Sequence, residues 1–256
     1  TNLILEPFDL ESYKFCKKFK KNVDIKISTS ECNNIELISD ALKNFKKVFI
    51  NFSGLRKSDI IKIIKINKIK KNKKKIILMY GFQSYPTNRS NLRLDLFKLF
   101  KNEGFQSGYA DHSKYGINKN LINTCKFVIS KKCKYIEKHV CIDLNSKPLD
   151  YETSINIQDF DFFRKEVLTK NKPKKFNYLK SRSYKEIKYS LGMHKFAFVK
   201  NHIKKGDRIN LKQIEFFRSP SLEEGLTRLD FYKNRIFTKK NIPKNKQVYS
   251  NMIFFK

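Results

Sequence analysis

None of the five cysteines, Cys16, Cys32, Cys125, Cys133 and Cys141, stands in CxxC spacing. An odd count without that spacing excludes a fully paired disulfide framework and a zinc knuckle, and it points to a reducing, cytoplasmic setting. No apolar run reaches the length of a membrane span and no signal peptide opens the chain, so no membrane partner is expected. Acidic residues are scarce: 24 Asp and Glu face 56 Lys and Arg, a net charge of +32 over 256 residues. That balance ordinarily suggests a nucleic-acid partner. Here lysine accompanies abundant Asn, Ile and Phe along the whole chain and forms no single stripe. This argues against nucleic acid and leaves a general attraction for anionic substrates.

What is present is a series of short apolar runs, each followed by a segment of helical period. Strands are expected at residues 2–6, 23–28, 47–52, 76–81, 108–110 and 134–136. Between and after them, helices are expected at 10–20 with Asp9 as N-cap, 33–44, 58–71, from Asn91 to Gly104, 121–130 and 160–168. Six successive β/α units predict a parallel α/β barrel. His112 and His139 each follow a strand at the same end, so both could reach one ion on the carboxyl face. Either alone is more often a hydrogen-bonded histidine than a ligand, and the metal reading becomes an equal alternative only for the pair together with Asp111, Glu137 and Asp150, in a chain with four histidines. Lys26 sits within an apolar strand, a costly place for an ammonium unless it meets an anion or snorkels to the surface.

GYADHS (108–113), IEKHV (136–140) and DYETS (150–154), in this order, resemble the signature of the sialic acid synthase family. That family condenses phosphoenolpyruvate with an N-acylated amino sugar such as N-acetylmannosamine. The resemblance implies a TIM-type (β/α) barrel, N-terminally incomplete because the family's first two strands and their charged residues have no counterpart. It also implies a divalent metal, manganese or magnesium, on His112 and His139, with Asp150 orienting the sugar or a bound water. KISTSE resembles KIASGE or KIGSGE, which gives Lys26 to phosphoenolpyruvate and Glu31 to the amino sugar, with Thr29 beside them. Ser53 takes the place of a threonine in STGM, Gln83 and Tyr85 stand where the family contacts sugar, and Asp111 and Ser154 complete the substrate contacts. One departure concerns Glu6, which replaces the small hydroxyl of a TPFD-like turn and would repel phosphate if it pointed into the pocket.

After residue 170 the pattern changes to a polar linker, 171–189, containing Pro173. Short apolar pieces follow at 196–199, 209, 214–217, 235–238 and 248–253, separated by turns such as Lys205-Gly206-Asp207. HIKKGDRINLKQIEFFRSP resembles the antifreeze-like (SAF) domain that follows the family's barrel. Residues 1–170 are thus read as the partial barrel and 190–256 as a small β-rich antifreeze-like domain. Arg218 falls on the arginine that, in the family, reaches the sugar in a partner subunit. With the long linker, this implies a domain-exchanged homodimer; the alternative for Arg218 is a surface arginine.

The expected activity is therefore a phosphoenolpyruvate-dependent nonulosonate synthase. A non-catalytic remnant keeping a metal or sugar site and a basic polyanion-binding module are the alternatives. Because it begins at Thr1 inside a strand-like run, the chain is expected to be a fragment or processed product, with little activity alone.

Overall fold

The computed structural model describes residues 2–169 and 171–256. Thr1 and Lys170, the two ends of the expected barrel segment, lie outside the described residues. The chain opens with β1 (Leu3–Leu5), α1 (Leu10–Lys17), β2 (Val23–Ile27), α2 (Ile35–Asn44) and β3 (Val48–Asn51). It continues through α3 (Lys57–Ile64), α4 (Asn67–Lys71), β4 (Ile76–Tyr80), α5 (Leu96–Asn102) and β5 (Gln106–Asp111). Next come α6 (Lys119–Ser130), β6 (Tyr135–Cys141), β7 (Ser154–Asn156) and α7 (Phe160–Leu168). The seven strands lie side by side in chain order, all parallel, in a curled half-barrel sheet.

Strand alternation divides the apolar residues between two faces. Ile76, Leu78 and Tyr80 join the large core beneath the helices, while Ile77 and Met79 cluster with Phe49, Ala110 and Tyr135 on the concave side. The helices close the outer layer through stripes at helical spacing, such as Ile35, Ile38, Ala41 and Leu42 on α2. Asp9 caps α1 as expected, accepting from the Ser12 amide at 2.7 Å.

Several boundaries differ from the sequence reading. His139 lies inside β6, not after it, because pairing with β7 extends that strand to Cys141. β7 itself is a seventh strand, too short at three residues to show an alternating pattern. The 58–71 helix is two helices, and α5 starts at Leu96 because Arg93 is drawn into the core by another partner.

The C-terminal part comprises α8 (Tyr184–Met193), β8 (Lys195–Val199), β9 (Arg208–Ile209), β10 (Ile214–Arg218), α9 (Arg228–Phe231), β11 (Ile236–Thr238) and β12 (Ile253–Phe255). β8 pairs antiparallel with β10, and β9, β11 and β12 form a second small antiparallel sheet. Ala197, Val199, Ile203, Ile209, Ile236, Ile242 and Val248 build a separate core for this strand-rich unit. Much of the expected linker is fastened down. Leu179 N–H donates to Leu92 O at 2.9 Å, Phe176 and Tyr178 pack on Phe127, and α8 inserts Glu186 fully into the barrel layer.

Candidate active site

The carboxyl ends of β2, β5 and β6 carry the polar residues of the concave face. On β5, Ala110 faces inward, so Asp111 faces the helices and His112 faces inward again. On β6 the same parity puts Tyr135, Glu137 and His139 inward and Lys138 outward. The imidazoles of His112 and His139 meet with ring centroids 5.3 Å apart.

His112 is buried, its Nδ1 has no hydrogen-bond partner among the described residues, and burial, aided by the neighbouring His139, pushes its pKa down to about 3. Its carbonyl accepts from Thr87 N–H at 2.7 Å, which ties the loop after β4 to the site and leaves the Tyr85 ring 6.5 Å from the imidazole. His139 Nδ1 lies 3.8 Å from Asp150 Oδ2. Burial lowers the His139 pKa against the pull of that carboxylate. Asp150 adopts a left-handed φ of 62°, and its carbonyl accepts from Thr153 N–H at 3.1 Å and from the Ser154 hydroxyl at 2.8 Å. Ser154 thus shapes the loop that presents Asp150. Burial first, then the Asp150 charge, raises the Tyr85 phenol to about 12.

Neutral imidazole is the ligating form, and the orphaned Nδ1 of His112 beside His139 fits a divalent cation held by two histidines, with its other positions open to substrate or water. Among the described residues no three His, Cys, Asp or Glu side chains converge as a closed metal-binding group.

Deeper on the same face Lys26, with a side chain 11% exposed, lies between two carboxylates: Glu137 Oε1 at 2.7 Å and Glu6 Oε2 at 3.1 Å. Glu31 is also taken, by Lys195 Nζ at 2.5 Å and by Asn34 Nδ2 at 2.8 Å. Thr29 Oγ1 accepts from the Tyr189 hydroxyl at 3.1 Å, and Gln83 is half-buried just beyond β4.

Two expected substrate contacts, Asp111 and Ser53, are placed elsewhere, while Arg218 is expected to act on a second copy. Asp111 points to the helix side, where it accepts from Lys138 Nζ at 2.6 Å, from the Ser113 amide and hydroxyl, and from Tyr109. Its lone pairs are spent on holding β5 to β6. Ser53 is fully buried, donating to Asn51 Oδ1 at 2.6 Å and accepting from Gly81 N–H at 3.0 Å, so its hydroxyl braces the turn after β3. Arg218 is exposed at the end of β10, opposite Lys195 in the ladder. Sequence reasoning overlooked Lys195 as the partner of Glu31. It could have placed Glu137, because period two from His139 puts it on the same face.

Comparison with known proteins matches residues 2–172 to the NeuB family. Among solved structures, the chain is similar to the spore coat polysaccharide biosynthesis protein spsE of Bacillus subtilis, with a TM-score of 0.75 and 19% identity over 98% of this chain and 73% of that one. A putative spore coat polysaccharide biosynthesis protein E of Chromobacterium violaceum gives 0.54 and 18% over 99% and 74%. The N-acetylneuraminic acid (sialic acid) synthetase of Leptospira borgpetersenii gives 0.53 and 27% over 63% of this chain and 54% of that chain. No curated protein matches.

Proposed function

The chain belongs to the NeuB family, and from that premise we propose that its concave sheet face condenses phosphoenolpyruvate with an N-acyl amino sugar, N-acetylmannosamine or a related hexosamine. In this reaction C3 of phosphoenolpyruvate bonds to the sugar's aldehyde carbon, water adds at C2, and phosphate leaves to give a nonulosonic acid. The observation that carries the reading is the pair of neutral imidazoles, His112 and His139, converging beside Asp150 and Tyr85.

His112 and His139 would hold a manganese or magnesium ion, which supplies Lewis-acid polarisation of the aldehyde oxygen when bound. The protein's own groups do the rest. Asp150 orients the sugar or the attacking water, Lys26 offsets the charge of the enol phosphate, and Glu31, Thr29, Gln83 and Tyr85 hold the sugar. Residues 190–256 are read as the antifreeze-like domain. A two-fold assembly in which the exposed Arg218 reaches a second copy's site belongs to the same reading, and a monomer in sedimentation at micromolar concentration overturns that part.

The test is phosphate release from phosphoenolpyruvate. It should require N-acetylmannosamine or a related sugar together with Mn²⁺, and it should vanish in His139→Ala. A second reading, a non-catalytic member that keeps the site's shell, is favoured by Lys26 and Glu31 being already ion-paired within the chain. Absence of phosphate release from the longest native form of the protein with every sugar tried, alongside intact Mn²⁺ binding, decides for it; the 256-residue chain alone is expected to show little activity under either reading.

A further inference from the structure

Glu6 follows β1, and its carboxylate turns onto the concave face to reach Lys26 on β2. Glu137 of β6 approaches the same ammonium from the far side of the sheet. One cation therefore stands between two carboxylates. An anion arriving at Lys26 has to share the ammonium with both, or displace one of them. Glu6 is the more easily displaced of the two. Its contact is the longer, 3.1 against 2.7 Å, and it stands just before Pro7 on the connection between β1 and α1, whereas Glu137 is fixed within a paired strand.

We propose that Glu6 is a specificity determinant of this site, a built-in carboxylate that occupies Lys26 and selects against anionic substrates until it is displaced or protonated. The inference rests on the reading that Lys26 receives the anionic donor. The groups facing Glu6 are Lys26 from β2, Glu137 from β6 and Tyr189 from α8. Burial raises the Glu6 carboxyl above its ordinary range, Lys26 opposes this, and Glu137 reinforces it. An approaching phosphate adds negative charge and acts in the same direction, so anion binding is coupled to proton uptake at Glu6.

Calorimetric titration of phosphoenolpyruvate and of inorganic phosphate into the full chain tests this, in wild type, Glu6→Gln and Glu6→Thr. The isosteric glutamine keeps the packing, and thermal unfolding verifies that each variant is folded. Expected are affinities roughly tenfold or more tighter for both anions in the variants. In wild type alone, affinity should rise as pH falls from 7.5 to 5.5, with proton uptake visible in buffers of different ionisation enthalpy. Phosphoenolpyruvate binding that is equal or weaker in both folded variants overturns the proposal, even if the protein turns the compound over. Conversely, tighter phosphate binding in the variants, with no phosphate released from phosphoenolpyruvate by the longest native form when N-acetylmannosamine or a related sugar and Mn²⁺ are supplied, upholds the role of Glu6 and sinks the synthase reading.

Discussion

Glu186 and Arg93 form a two-point ion pair in the core, Nε to Oε2 at 2.8 Å and an Nη to Oε1 at 2.5 Å, with neither side chain more than 2% exposed. Gly54 N–H at 3.1 Å and the Tyr80 hydroxyl at 3.3 Å also donate to the Glu186 carboxylate, and Arg93 donates in addition to Leu55 O at 3.0 Å. This network docks α8, and with it the start of the strand-rich unit, onto the barrel layer.

Removing one partner leaves the other charge buried and uncompensated, so Glu186→Ala should destabilise the chain by about 3–5 kcal/mol. Urea unfolding measures this. Replacing both residues by apolar ones of similar volume should cost less than the single change, and a single change within 1 kcal/mol of wild type would contradict the network's role.

Asp111→Asn should act on stability and not on substrate. Lys138, 1% exposed, loses its only carboxylate partner among the described residues, and a loss of about 3–5 kcal/mol is expected. In whatever fraction stays folded, sugar affinity should match wild type; a selective loss of sugar binding at unchanged stability would return Asp111 to the site.

Cation binding should depend on both inward histidines. Mn²⁺ titration followed by electron paramagnetic resonance is expected to show affinity weakened roughly tenfold or more in His112→Ala and in His139→Ala. Wild-type affinity in both variants would remove the metal from the site.

Lys195→Met should loosen the junction between the two parts. Glu31, buried, would keep only Asn34, and losing a charge-assisted hydrogen bond is expected to cost about 1.5–3 kcal/mol. Faster proteolysis within residues 171–183 is the readout, and an unchanged cleavage rate would show that the bond does not hold the unit.

Acid should destabilise the fold through histidines held neutral. Burial pushes His194 down to about 4 from an ordinary 6.5, with Ser190 Oγ 2.9 Å from its Nδ1. A depressed folded pKa means that below 6.5 the unfolded chain takes up a proton that the folded chain refuses. The stability is therefore intact above pH 6.5 and drains away as pH falls towards 4, by about 1.4 kcal/mol per pH unit for this residue. His194→Gln should flatten that part of the stability–pH curve, and an unchanged slope would rule it out.

By itself the sequence determined the α/β class, the order of the first six strands and their helices, and the pairing of His112 with His139. These rest on local rules: alternation along a strand, helical spacing, and the rule that parallel strands open their carboxyl ends onto one face. Tertiary structure alone decided what each polar side chain does once it is there. Lys26 meets Glu6 and Glu137, Glu31 meets Lys195, and Arg93 meets Glu186, all across long separations in the chain. No local pattern encodes such pairs, because a buried charge is satisfied by whatever opposite charge the fold brings within about 3 Å. For the same reason Asp111, one residue from an inward histidine, serves the opposite face. A single step along a strand reverses a side chain's direction, which sets Asp111 opposite His112, but only the pairing of β5 with β6 brought Lys138 there to meet it.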